Sequence, residues 1–283
     1  MKEVRIITGI VLFNPEMNRL KENVDAIYKK TQQIVFIDNG SDNIKQTEEL
    51  LSSYEGIKII RNDTNLGIAR ALNQICEYAM DNGADYVLTL DQDSVCPDSI
   101  IDEYKKYISD KSGIICPVIK DRNHNLNQVS GVEDVTEIEK CITSASLLNL
   151  QAWESVNGFD ESMFIDGVDF DICMRIRKKG YSIFRVNSVV LIHEIGRITV
   201  RRFLLWKVMV KNHSAFRKYY IARNTVYLAR KQGSAKKIAK SFFQVAKQWL
   251  CVLFYESEKK NKLVKIQKGF FDGLKTKLVE KWK

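Results

Sequence analysis

Through its first 120 residues the chain alternates between short runs rich in Val and Ile and longer stretches whose apolar residues recur at helical spacing. Residues 4–13, 33–38, 57–61, 86–91 and 113–119 are predicted strands, several of them apolar on both faces as buried parallel strands are. Residues 16–30, 43–54, 66–82 and 98–109 are predicted helices between them. This alternation implies an α/β fold with a mostly parallel central sheet and right-handed crossovers. Ligands of such sheets bind beyond the carboxyl ends of the strands.

After residue 120 the pattern loosens. Residues 121–127 read as an exposed loop, 141–150 as a return to an apolar run, and 172–178 as a helix stopped by Gly180. Strands are predicted at 181–186 and 188–192, the second ending at His193, and basic helices from 197 onward. In residues 241–255, Gln244, Gln248, Cys251 and Tyr255 fall at i, i+4, i+7 and i+11 among apolar neighbours, so this stretch predicts an amphipathic helix with a broad apolar face.

Charge sharpens the division. Residues 1–196 hold 21 basic against 31 acidic side chains, a net of −10, and residues 197–283 hold 23 against 4, a net of +19. We therefore expect a domain over 1–196 and a basic helical appendage over 197–283. The appendage either meets an anionic membrane surface or packs against protein, including a second subunit in a homo-oligomer. With 45% hydrophobic and 28% charged residues the chain is of the soluble globular class. No window approaches the ~20 apolar residues that span a bilayer, and the N-terminus shows no export signal. A cytoplasmic location follows as the expectation, with any membrane contact peripheral and on the inner face. The six cysteines form no Cys-x-x-Cys pair and read as buried thiols.

The candidate chemistry sits at the strand ends. Asn14 follows the first strand, Asp38-Asn39-Gly40-Ser41 the second, Asn62-Asp63-Thr64-Asn65 the third and Asp91-Gln92-Asp93-Ser94 the fourth. Such residues also populate turns and helix caps. An acidic pair that directly continues the apolar strand Tyr86–Leu90 is harder to explain that way, because two hard oxygen donors on a rigid edge suit Mg²⁺ or Mn²⁺. A second carboxylate cluster, Asp166, Asp169 and Asp171, lies at or just before a predicted helix N-terminus, where acids are also favoured structurally.

These motifs, with Asn65-Leu66-Gly67-Ile68-Ala69-Arg70, Gly158-Phe159-Asp160-Glu161 and Asp169 through Arg175 to Gly180, resemble glycosyltransferase family 2 and its GT-A fold over residues 4–195. Within the family, Asp91-Gln92-Asp93-Ser94 and Phe164-Ile165-Asp166-Gly167-Val168-Asp169 look most like the bacterial rhamnosyltransferase-like branch. The resemblance implies a nucleotide-diphosphate sugar donor held by Val11, Phe13, Asn14, Asp38, Asn65, Gly67, Arg70, Asp91 and Gln92, with Asp38 on the pyrimidine base. It implies Mg²⁺ or Mn²⁺ on Asp93 and His193, and Asp169 as catalytic base. Many members carry Glu-Asp where this chain has Val168-Asp169, so acceptor contacts are sought at Asp166, Asp171 and Trp153.

The implied reaction is an inverting transfer, with rhamnose from dTDP-rhamnose as the first donor and UDP-hexose or UDP-galactofuranose as alternatives. The acceptor would be a saccharide or a lipid-linked saccharide of bacterial surface polysaccharide synthesis. A sugar-1-phosphate nucleotidyltransferase fits less well, since Phe13-Asn14-Pro15-Glu16-Met17 offers no Gly-rich loop for a triphosphate. No nucleic-acid partner is expected, because a basic nucleic-acid-binding role leaves the edge carboxylates unexplained.

Overall fold

The computed structural model describes residues 3–121, 133–193, 199–203 and 206–279. Packing divides the chain into two compact units, Met1–Glu161 with Asp169–Glu194, and Ser162–Val168 with Ile195–Lys283.

In the first unit the predicted alternation becomes β1 (Ile6–Leu12), α1 (Met17–Ile27), β2 (Gln33–Asp38), α2 (Ile44–Leu51), β3 (Ile57–Arg61), α3 (Ile68–Asp81), β4 (Tyr86–Asp91), α4 (Ile100–Lys105) and β5 (Ser112–Asp121). There follow β6 (Val135–Ile138), β7 (Ser146–Asn149), α5 (Leu150–Ser155), α6 (Val168–Lys178) and β8 (Ser182–His193). The eight strands form one sheet in the order β3-β2-β1-β4-β7-β5-β8-β6. Strands β3, β2, β1 and β4 run parallel, and β5 runs parallel to β8. Strand β7 is antiparallel to both β4 and β5, and β6 to β8.

The continuous apolar runs explain the burial. Ile6, Ile10 and Leu12 of β1, Phe36 of β2 and Leu88 of β4 are buried together with Leu20, Val24 and Ile27 of α1. Helix α1 starts where the Glu16 carboxylate accepts the backbone N–H groups of Asn18 and Arg19. The two predicted strands after residue 180 are one strand, β8, whose pairing with β5 shifts register between Pro117 and Val118. A bulge there lets a single strand carry what the sequence reads as two.

The second unit departs from an all-helical reading. A hairpin of β9 (Thr199–Phe203) and β10 (Trp206–Val210) precedes α7 (Ala215–Lys231), α8 (Ala235–Tyr255) and α9 (Lys259–Lys275). Residues 162–168 also belong here, because buried Asn224 of α7 donates to the carbonyls of Met163, Ile165 and Asp166 at 2.9, 2.7 and 2.8 Å. Helices α7 and α9 approach closely at Gly269 and Gly273. A Cβ on Gly273 would stand 2.5 Å from the Arg223 carbonyl oxygen. Between the helices Glu256 is buried, accepting Lys218 Nζ at 2.6 Å and Lys262 Nζ at 3.0 Å.

Candidate active site

The acidic turn after β4 is fixed from several directions. Asn23 of α1, fully buried, donates its amide to the carbonyls of Asp91 (3.1 Å) and Ser94. The hydroxyls of Ser94 and Ser144 lie 2.8 Å apart, and an isolated bridge pairs Val95 with Ile192 at the end of β8. Gln92, between the acids, grips the end of β1. Its Oε1 accepts the Phe13 N–H at 2.9 Å and its Nε2 donates to the Phe13 carbonyl at 3.3 Å. Gln92, expected at the donor, is here engaged with the protein backbone, while Asp93 is left exposed and Asp91 half-buried.

The neighbouring strand ends form one connected edge. Asp38 ends β2 in register with Leu12 of β1 and Arg61 of β3. Its carboxylate is 2% exposed, Oδ2 accepting the Ser41 N–H at 3.2 Å and Oδ1 buried with no hydrogen-bond partner among the described residues. A buried acceptor left open in this way costs about 1–3 kcal/mol. A ligand N–H would offset that. Phe13 beside it is 46% exposed. Asn14 links the loops, its N–H donating to Ser41 Oγ at 2.9 Å and its Oδ1 accepting the Asp42 N–H at 2.8 Å.

Asn65 braces the third loop, its Oδ1 accepting from Asn39 Nδ2 at 3.0 Å and from the Gly67 N–H at 2.9 Å. Its carboxamide is thus turned into the protein. Arg70, expected near the diphosphate, is ion-paired. Its Nη1 is shared between Glu77 at 3.0 Å and Glu161 at 3.1 Å, so two carboxylates already neutralise the charge expected to meet a diphosphate.

Sequence reading missed a hub at Asn73 of α3. Its Oδ1 accepts the Trp153 indole N–H (3.1 Å) and the Phe159 N–H (2.8 Å), and its Nδ2 donates to the Phe159 carbonyl (3.0 Å) and Glu161 Oε1 (2.8 Å). Trp153, expected at the acceptor, is buried in this arrangement. Gly158 is required here, with φ at +74° and a Cβ position only 2.6 Å from Asn73 Oδ1.

Asp169 occupies the first turn of α6, half-buried, its Oδ1 accepting the Phe170 N–H at 3.1 Å. It borders a cavity of about 10 Å³ together with Thr89, two residues before Asp91 on β4. That volume suits a single water molecule. Cys141 and Cys173 line the same cavity with their sulfurs 3.7 Å apart. Hydrogen bonding to Cys116 raises Cys141 well above the usual thiol range, hydrogen bonding to Cys141 does the same for Cys173, and burial adds to both. Neither is poised as a thiolate nucleophile. Beyond Asp169, Phe170, Lys140, Arg185, Pro117 and Ile138 line a larger cleft of about 330 Å³. Lys140 Nζ stands 4.9 Å from the centre of the Phe170 ring.

Two acids expected at the acceptor are committed elsewhere. Asp171 is fully buried and bound to Arg175 at 2.7 Å, an i, i+4 pair inside the first unit. Asp166, in the second unit, accepts both Nε and Nη2 of Arg217 at 3.0–3.2 Å. His193 closes β8, and its side chain lies outside the described residues. Among the described residues no three His, Cys, Asp or Glu side chains gather to hold an ion. Asp91 and Asp93 nonetheless suit a hard divalent ion that keeps positions for phosphate oxygens and water.

Comparison with known proteins identifies the family and the fold. The family described as "Glycosyl transferase family 2" matches residues 9–170. A curated relative, "dTDP-rhamnosyl transferase RfbF" of Shigella flexneri, is 26% identical over 242 residues, covering 80% of each chain. Among solved structures, GalNAc-T7 with UDP, GalNAc and Mn²⁺ superposes with a TM-score of 0.65 at 16% identity, over 97% of this chain but only 56% of that longer one. S. aureus TarS 1-349 in complex with UDP-GlcNAc gives 0.60 at 14% identity, over 95% of this chain and 81% of that one. At such identities the structural likenesses speak for a shared GT-A-like fold.

Proposed function

This chain belongs to glycosyltransferase family 2, and we propose that it transfers rhamnose from dTDP-rhamnose to a saccharide or lipid-linked saccharide of a bacterial surface polysaccharide, with inversion at the anomeric carbon. The observation that carries the donor half is the Oδ1 of Asp38, buried with no hydrogen-bond partner among the described residues and one strand removed from the acidic turn along the same sheet edge. Thymine and uracil both present an N3–H that such an acceptor would take. The relative's name favours thymidine over uridine.

Transfer builds negative charge on the departing diphosphate and requires a proton to leave the acceptor hydroxyl. Asp93, with Asp91 beside it, would hold Mg²⁺ or Mn²⁺, which when bound supplies Lewis-acid stabilisation of that charge. Asn23, Gln92 and Ser94 fix the backbone of the turn that carries the two carboxylates, which limits the reorganisation needed. Asp169 takes the acceptor proton, a contribution of roughly 10²–10⁴ in rate. Attack from the face opposite the leaving group gives the inversion. The cleft beginning at Phe170 would receive the acceptor, its aromatic ring facing a sugar and Lys140 and Arg185 at its rim.

Asp169→Asn should retain donor binding and lose transfer. Transfer left near its original rate, or loss of donor binding along with transfer, would sink the assignment. A screen of dTDP-rhamnose, UDP-hexoses and UDP-galactofuranose by thermal stabilisation, with and without Mn²⁺, decides the donor. Stabilisation by a UDP-sugar alone would overturn the rhamnose reading.

A further inference from the structure

Helix α8 carries two different apolar faces. Ser241, Val245 and Val252 point inward and are buried, Val245 and Val252 in the cluster with Ala222, Val226 and Ile266. The opposite side is apolar as well. Phe243, Leu250 and Phe254 recur at i, i+7 and i+11, flanked by Phe242 and Trp249, and all five are exposed, Phe243 to 72% and Phe254 to 58%. Lys236, Lys240 and Lys247, at i, i+4 and i+11, form an exposed strip along the edge of this stripe. The helix contains no Asp or Glu over its 21 residues.

From this arrangement we infer that the outer face of α8 is a docking surface for an anionic phospholipid leaflet, with the helix lying in the interface plane. Aromatic and branched apolar side chains beside a row of lysines, on a helix with no acid to repel phosphate headgroups, are what such a surface recognises. Charge argues against a second copy as the occupant. Two such faces pressed together would oppose lysine to lysine without a counter-charge on the helix, in a region whose net charge is +19. Among the described residues no helix is long and apolar enough to cross a membrane, so contact through α8 would be at the surface.

The test uses the full chain and flotation with vesicles of phosphatidylcholine, with or without phosphatidylglycerol. Binding is expected only to the anionic vesicles, and to weaken as salt rises. Phe243→Ser with Phe254→Ser should abolish it while leaving donor-induced thermal stabilisation unchanged, which establishes that the variant is folded. As separate variants, Lys236→Glu, Lys240→Glu and Lys247→Glu should each weaken binding by roughly fivefold or more. Four results would overturn the inference. These are equal binding to neutral vesicles, no vesicle binding at low salt, a dimer in light scattering that Phe243→Ser dissolves, and duplex DNA that binds the same face and competes with vesicles.

Discussion

Asn73→Ala should be among the most damaging single changes in the first unit, because one small carboxamide on α3 satisfies groups of Trp153 in α5 and of Phe159 and Glu161 after it. Removing it strands the Trp153 indole N–H and both the N–H and carbonyl of Phe159, all buried, whereas half-exposed Glu161 can turn to water. A buried polar group left unmade costs about 1–3 kcal/mol. A water entering the vacated space would restore part of this, so the net loss should be about 2–5 kcal/mol. At ~2–4 °C per kcal/mol for a chain of this order of size, the midpoint should fall by roughly 5–15 °C. Thermal unfolding followed by near-ultraviolet circular dichroism measures it, since the Trp153 environment reports the same locus. Asn73→Asp is an internal control. It keeps an acceptor for the indole and Phe159 N–H groups but faces a carbonyl and Glu161 with an anion, so it should not rescue. A fall of less than about 2 °C for Asn73→Ala, or full rescue by Asp, would refute the hub.

Three further outcomes can be stated. Burial first, and then Arg217, with Lys218 and Lys211 adding and Asp166 opposing, presses His213 from 6.5 down to about 4. The unfolded chain therefore takes up this proton before the folded one, so the stability it carries is complete above pH 6.5 and is lost as pH falls toward 4. His213→Gln should flatten urea-measured stability across that window by about 1–2 kcal/mol, partial exposure of the ring screening the rest. Glu256→Gln would leave the buried ammonium groups of Lys218 and Lys262 without their carboxylate and should lower stability by about 3–5 kcal/mol in urea unfolding. Phe170→Ala should raise the acceptor KM by roughly two- to tenfold with the donor KM unchanged, as the loss of one aromatic contact predicts; an unchanged acceptor KM would remove the cleft from the acceptor path.

What could be read in advance follows from the range of the interactions. The parallel strands β1 to β4 are visible as apolar runs, and the acids and amides at their ends are visible as interruptions of those runs. Strand β6 and the β9–β10 hairpin are short and lack such a signature. The direction in which a side chain is spent is set by distant partners. Asp166 pairs with a residue 51 positions away, and Asn73 reaches residues 80 to 88 positions on. Asp171 is different, because Arg175 four residues later on a predicted helix is a local signal that it is an ion pair and no substrate contact. Asp169, six residues before the same arginine, is followed at helical spacing by Ile172 and Cys173, so no such local signal marks it in the sequence.

The grip of Gln92 on Phe13 has a consequence for anyone altering the sugar preference of this protein. The residue between the two acids acts as a strut whose length matters, spanning from the β4 turn to the β1 backbone, and Asn at this place would be one methylene too short to make both bonds. Variation there should loosen the whole donor edge at once, blunting activity with every sugar alike. Changes in preference are better sought at the exposed Phe13 ring and in the loops that Asn14 and Asn39 join, where a new side chain can be accommodated without unfastening the acids.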